Sequence, residues 1–245
     1  EQLEQTRNLA NNLNTPISIH LSESQFESEF STQNYGMTSI EALESINFFD
    51  GTTIAAHVVW PSDREIEILA KRNVGVVHNP TSNMKLSSGV APISKMIEAG
   101  VLVGLGTDGA ASNNDLDMWE EMRLASLLQK VTSMDPEVLP AIEVLRMATS
   151  NGAKIIGMDN EIGMIAEGMK ADVIQIAYDD VHHIPSYDIA SHLVYVTDEQ
   201  DVMNVIVDGK LIMHQREFLT LNTKKIKEEV TSISNTIKET MNTNQ

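Results

Sequence analysis

The residues whose type and placement could do chemistry are His20 and Glu23 in the run His20-Leu21-Ser22-Glu23, His57 after Ala56, His78 before Asn79, and Asp108 between Thr107 and Gly109. Neutral imidazole and carboxylate oxygen are the donors that suit Zn²⁺ or Fe²⁺ when thiolate is absent. The chain has no cysteine, so any metal must be held by His and carboxylate. A divalent ion held there can acidify a bound water to about pH 7, and a nearby carboxylate can shuttle its proton. Glu23, three residues beyond His20, is the natural shuttle, Asp108 could both ligate the metal and accept a proton, and His57 could polarise a substrate or hold the nucleophile.

Each of these residues taken alone has a plainer reading. A strand-end histidine is more often a hydrogen-bonded structural residue, H-x-x-E recurs by chance, and Asp-Gly favours a turn. What favours a metal site is their placement. Four short apolar runs, residues 17–21, 53–59, 74–78 and 101–106, read as strands, and His20, His57, His78 and Asp108 lie at their C-terminal ends. Ser18 and His20 share one strand face, His57 shares a face with Ala55, and Gly104 and Gly106 leave room beside Asp108.

Helical spacing at residues 1–14 and 39–46, capping residues Ser62 and Asp63 before a helix to Arg72, and Pro92 opening a helix over residues 93–99 separate those strands. Residues 79–90 read as a loop. The β-α-β-α-β-α-β order with nearly all-apolar strands predicts a parallel sheet covered by helices, either half of a (β/α)₈ barrel or a small doubly wound sheet. In both architectures the chemistry sits at the C-terminal strand ends. Helices over residues 118–130 and 137–152 follow. Strands are then expected at 173–177, 193–197, 202–207 and 210–213, with Asp208-Gly209 as a hairpin turn, and a terminal helix carries Ile226, Val230, Ile233 and Ile237.

The remaining candidates are weaker. His182-His183 reads as a surface pair with adventitious metal affinity, and His192 and His214 lack strand-end partners. Trp60 could line a pocket, whereas Trp119 reads as core. Gly104-x-Gly106-x-x-Gly109 spells a dinucleotide fingerprint, yet it contains Asp108 and no helix is expected before Asn114, so it reads as accidental.

Composition narrows the partners. With 17 Lys+Arg against 35 Asp+Glu, the net charge of −18 argues against nucleic acid and anionic membranes. No apolar run approaches the ~20 residues needed to cross a bilayer. Residues 1–7 show neither a basic nor an apolar leader region, so a cytoplasmic protein is expected. A chain that begins at Glu1 also suggests a missing upstream segment.

In order and spacing, His20-Leu21-Ser22-Glu23, Ala56-His57, the run from Val77 to Leu86 (Val-His-Asn-Pro-Thr-Ser-Asn-Met-Lys-Leu), Gly106-Thr107-Asp108-Gly109 and Gly163-x-Ile165-x-x-Gly168-x-x-Ala171-Asp172 resemble the amidohydrolase superfamily, in its 5-methylthioadenosine/S-adenosylhomocysteine deaminase branch. The resemblance implies α/β architecture: the second half of a TIM-like (β/α)₈ barrel in residues 1–158, part of a small β-sandwich appendage in 159–218, and a C-terminal helix in 219–245. It implies one divalent metal, Zn²⁺ or else Fe²⁺, ligated by His20 and Asp108. Glu23 would act on a substrate ring nitrogen, Asp108 would accept a proton, and His57 would sit beside the reacting centre. Asn79, Ser82 and Asn83 would shape the pocket wall, with Glu23 and Asp108 also contacting substrate. The substrate implied is a small purine nucleoside, deaminated at C6 of its adenine ring with release of ammonia.

The departure from that pattern is large. Members carry a His-x-His pair that completes the metal site, and this sequence contains none. A whole barrel needs roughly 250 residues by itself. Association with a missing N-terminal half, or a homo-oligomer that covers open sheet edges, is therefore expected. Two alternatives stand beside the leading reading: another amidohydrolase, of guanine deaminase or triazine chlorohydrolase type, and a non-catalytic half-barrel that serves as an assembly module.

Overall fold

In the computed structural model, which describes residues 1–243, the chain forms two compact units, residues 1–169 with 179–199 and residues 170–178 with 200–245. The first is built on β1 (Ile17–Leu21), β2 (Thr53–His57), β3 (Gly75–His78) and β4 (Val103–Leu105), all parallel. Their spatial order is β1-β2-β3-β4. That decides between the two sheets the sequence allows. A doubly wound sheet reverses its order at a switch point, whereas a barrel is wound in one direction. The sheet is half of a barrel wall. Leu21 pairs with His57 and His78 with Leu105, so the C-terminal strand ends finish level.

The helices of this unit are α1 (Gln2–Leu13), α2 (Gln25–Tyr35), α3 (Ser39–Ser45), α4 (Asp63–Lys71), α5 (Pro80–Lys85), α6 (Ile93–Glu98), α7 (Ala110–Asn113), α8 (Met118–Ser133), α9 (Ala141–Ala148), α10 (Ser150–Ile155) and α11 (Ile189–Tyr195). Reciprocal side-chain to backbone bonds of Thr38 with Glu41 and of Ser62 with Glu65 start α3 and α4. One sheet face, carrying Ala55, Val76 and Val103, is buried with Leu69, Ile93, Met96 and Val144. The opposite face keeps Ser18 and His20 exposed and Ala56 and Val77 half-buried. A face left open in this way is what half of a barrel presents.

Several expected elements differ. Residues 25–35, too polar to show a period, form α2, started by Ser24 accepting the Glu27 N–H. The loop over residues 79–90 contains α5, with Pro80 in its first turn, and a one-turn helix, α7, begins before Asn114. The single helix over 137–152 breaks at Thr149 (φ −129°, ψ −95°) into α9 and α10. Residues 193–197 are not a strand: Leu193, Val194 and Tyr195 end α11, which Asp188 caps by accepting the Ser191 N–H. His183 is buried, not surface, and its Nδ1 lies 2.8 Å from Nε2 of buried His192.

The second unit is an antiparallel sheet of β5 (Val173–Ile176), β6 (Val202–Val207), β7 (Lys210–His214) and β8 (Glu217–Phe218), followed by α12 (Thr223–Thr243). Asp208 and Gly209 both have positive φ, 49° and 75°, the conformation a two-residue hairpin turn needs. Among the described residues no helix is long and apolar enough to cross a membrane.

Candidate metal centre

Three strand ends turn sharply to present their side chains. Ser22 after β1 has φ 51°, His57 and Val58 at the end of β2 have φ 73° and 45°, and Asp108 after β4 has φ 60°. For a non-glycine residue each such conformation costs on the order of 1–3 kcal/mol and is rare for β-branched valine. The turn at His57 persists because Val58 N–H bonds Leu21 carbonyl, and the Val59 and Trp60 N–H groups bond Ser22 carbonyl. Neighbouring strands thus hold the strain that aims His57.

The result is a cluster. His20, His57 and Asp108 each offer a ligand atom within 4.8 Å of the others. The His20 and His57 rings stack at 5.3 Å between centroids. Glu23 places Oε2 3.9 Å from His57 Nε2, while its Oε1 accepts a hydrogen bond from Ser88 Oγ at 3.2 Å. All four residues proposed from the sequence for metal or proton chemistry therefore meet. His78, also at a strand end, offers nothing to the group. It is fully buried, and burial, with His57 beside it, pushes its pKa down to about 3, so it is neutral.

The protonation pattern follows from the loops. His57 Nδ1 lies 2.8 Å from Asn83 Oδ1, an acceptor, so we assign the ring proton to Nδ1, which leaves the Nε2 lone pair facing Glu23 and the cluster. Asn79 Nδ2, at 3.5 Å from the same nitrogen, is the poorer partner. Asp108 Oδ2 accepts from Ser82 Oγ at 2.8 Å and from Ser112 Oγ. Burial pushes the Asp108 pKa up, but the Ser112 and Ser82 hydroxyls, the Gly109 N–H and nearby His57 together outweigh it and hold the carboxyl below its ordinary value. An ionised carboxylate and two imidazoles, one with its tautomer set, are a donor set that fits a divalent ion such as zinc.

Asn79, Ser82 and Asn83 are all buried. Ser82 engages Asp108 and Asn83 engages His57, so these two loop residues orient the site's own groups. Sequence reading missed three helpers. Ser112 lies four residues beyond Asp108, Ser88 steadies Glu23, and the Glu27 carboxylate accepts the N–H groups of Ser22 and Glu23 at 2.8 and 3.1 Å. The one-turn spacings Asp108 to Ser112 and Glu23 to Glu27 were the available signal.

Residues 1–212 match the model of the amidohydrolase family. The chain belongs to the amidohydrolase family. It is 51% identical over 220 residues to a 5-methylthioadenosine/S-adenosylhomocysteine deaminase of Carboxydothermus hydrogenoformans, covering 90% of this chain and 51% of that protein. A 5'-deoxyadenosine deaminase of Methanosarcina barkeri is 48% identical over 229 residues, covering 94% of this chain and 52% of that protein. Among solved structures, an adenosine deaminase from Xanthomonas campestris with bound zinc superposes with a TM-score of 0.94 at 34% identity, over 97% of this chain and 54% of that one. Atrazine chlorohydrolase from Arthrobacter aurescens, complexed with zinc, gives 0.88 at 28% identity, over 94% and 51%. This amidohydrolase chain thus spans about half the length of the relatives it matches.

Proposed function

We propose that the protein containing this chain is a metal-dependent aminohydrolase of adenosine-type thioethers, 5-methylthioadenosine and S-adenosylhomocysteine, and that these residues form its proton-transfer side. The observation that carries the reading is the convergence of His20, His57 and Asp108 within 4.8 Å, with Glu23 3.9 Å from His57. The deaminases at 48–51% identity support the substrate class. His20 and Asp108 would hold one divalent ion, Zn²⁺ by likeness to the zinc-bound adenosine deaminase, or Fe²⁺. When bound, that ion makes an attacking water acidic and polarised.

The chain's own residues then do the following. Asp108, kept ionised by Ser82 and Ser112, takes a proton from the attacking water. His57 offers Nε2 to orient that water, its tautomer held by Asn83. Glu23, with one oxygen steadied by Ser88, moves a proton to the ring nitrogen beside the carbon under attack. Water adds to C6 of the adenine ring as the ring nitrogen is protonated, Asp108 passes its proton to the amine so that the C6–amine bond breaks and ammonia leaves, and loss of the remaining hydroxyl proton to Glu23 gives the inosine analogue with its C6 carbonyl. Asn79 lines the same wall. The open edges of β1 and β4 would be covered by the rest of the barrel or by a second copy of the chain.

Ammonia release and the ultraviolet change should be measured on the whole protein with 5-methylthioadenosine, S-adenosylhomocysteine, guanine and a chlorotriazine. The two thioethers should be turned over, and His20→Ala and Asp108→Ala should each abolish it. Unchanged turnover in both variants, or turnover of guanine or the triazine alone, refutes the proposal.

A further inference from the structure

Glu121, in the first turn of α8, is fully buried, yet no cation pairs with it among the described residues. Burying a carboxylate without a counter-ion is costly, and its hydrogen bonds must offset that. Two of them reach different elements. Oε2 accepts the Thr81 N–H of α5 at 3.1 Å, and Oε1 accepts the side-chain amide of Asn113, in α7, at 2.7 Å. Asn113 in turn donates to the carbonyl of Thr107, the residue before Asp108, at 2.8 Å.

The two short helices joined in this way carry the side chains that orient the cluster. Ser82 and Asn83 lie on α5, and Ser112 lies on α7. Helix α5 has only six residues, and its N-cap residue Asn79 makes no side-chain bond to the helix. The first N–H groups of any helix need acceptors, and here Glu121 supplies one from another helix. A plain structural role, ordering the start of α8, does not require both oxygens to point away from α8 itself.

We propose that Glu121 is a positioning residue: its two oxygens tie α5 to α7 and thereby hold Asn83 against His57, and Ser82 and Ser112 against Asp108. The inference rests on the proposed function for its significance, but its geometry does not. Burial pushes the Glu121 pKa up, against the bonds from Thr81 and Asn113, which agrees with a carboxylate kept in place at a cost to folding.

The test needs neither metal nor substrate, so it can fail independently of the deaminase reading. In the isotope-labelled whole protein, amide exchange and the His57 Nδ1–H signal are recorded for the parent, Glu121→Gln and Glu121→Met. Met keeps the side-chain length and removes both acceptors, whereas Gln keeps one. In Glu121→Met the Thr81 amide should exchange about tenfold faster or more, as expected for losing a bond to a charged group, and the His57 Nδ1–H signal should weaken. Amides of β1 to β3 should stay within about twofold of the parent. Glu121→Gln should release one helix and retain the other. An unchanged Thr81 amide and His57 signal in Glu121→Met overturns the proposal, as does faster exchange spread evenly through the strands. If Glu121→Met does not fold, Asn113→Ala decides: loosening confined to residues 110–113 supports the tie, and loosening of both helices or of neither overturns it.

Discussion

Replacing Asn83 by alanine isolates the hydrogen bond that sets the His57 tautomer. In the parent, His57 is 1% exposed and its Nδ1–H has one good acceptor, Asn83 Oδ1 at 2.8 Å. Without it the N–H is buried and unpaired, a loss of about 1–3 kcal/mol. The Asn83 amide nitrogen is itself buried with no partner among the described residues, so truncation also removes an unpaired donor. The net loss of stability therefore falls at the low end, about 1 kcal/mol. The effect on the site is larger, because a ring free to take either tautomer no longer presents Nε2 to the cluster. Losing such an orienting partner lowers metal affinity or activity by about 10–100-fold. The assays are urea unfolding, which should shift by that small amount, and calorimetric Zn²⁺ titration together with thioether deamination of the whole protein. Asn83→Asp, which keeps an acceptor oxygen, should recover most of the site effect. If Asn83→Ala binds Zn²⁺ and turns over substrate as the parent does, or if its stability loss accounts for the whole functional loss, the reasoning is wrong.

Other expectations follow from the same contacts. A methyl group added at Gly75 would lie 2.7 and 2.8 Å from the two γ carbons of Ile155, so Gly75→Ala should lower the urea midpoint by overpacking worth about 1–3 kcal/mol, and Ile155→Ala in the same chain, which removes both γ carbons, should recover part of it. His78, with its pKa lowered from 6.5 to about 3, binds its proton more readily in the unfolded chain. Its contribution to stability is thus complete above about pH 6.5 and is lost as the pH falls toward 3, by up to ~1.4 kcal/mol per pH unit. Unfolding free energies measured across that range should fall less steeply in His78→Phe, and parallel slopes would contradict the assignment. Asp108 works at lower pH. Its carboxyl lies below the ordinary value of 3.8, so its contribution is present above that pH and lost on further acidification. Removing the Ser82 hydroxyl should raise its pKa, read by carboxyl NMR.

Much of the barrel half was legible in the residues. Strands β1 to β4 are short apolar runs whose in-chain neighbours are capping residues and turn formers, and their chemistry-bearing side chains lie at the strand ends or within three residues of them. The hairpin at Asp208-Gly209 was legible for the same reason, since the turn requires residues that tolerate positive φ. Helix α2 was not, because it buries only Ser31 and so has no apolar stripe to read. Residues 193–195 were misread because a short apolar run fits a buried strand or a buried helix equally well. There Asp188, five residues upstream, starts the helix.

The sequence by itself determined which chemistry is possible: no thiolate, three strand-end imidazoles and two carboxylates in the order and spacing of an amidohydrolase. Only the tertiary structure decided how those groups are oriented. The left-handed turn at His57 is held by carbonyls of β1 and the residue after it, 35–36 residues away in sequence, the ring's proton is set by Asn83 from α5, and the Asp108 charge is kept by hydroxyls from α5 and α7. Glu121 is the clearest case. A glutamate near the start of a helix reads as a solvated end charge, and only the arrival of α5 and α7 around it makes it buried. Local pattern reports what each residue's neighbours in the chain require. Orientation depends on hydrogen bonds between segments that register and packing bring together.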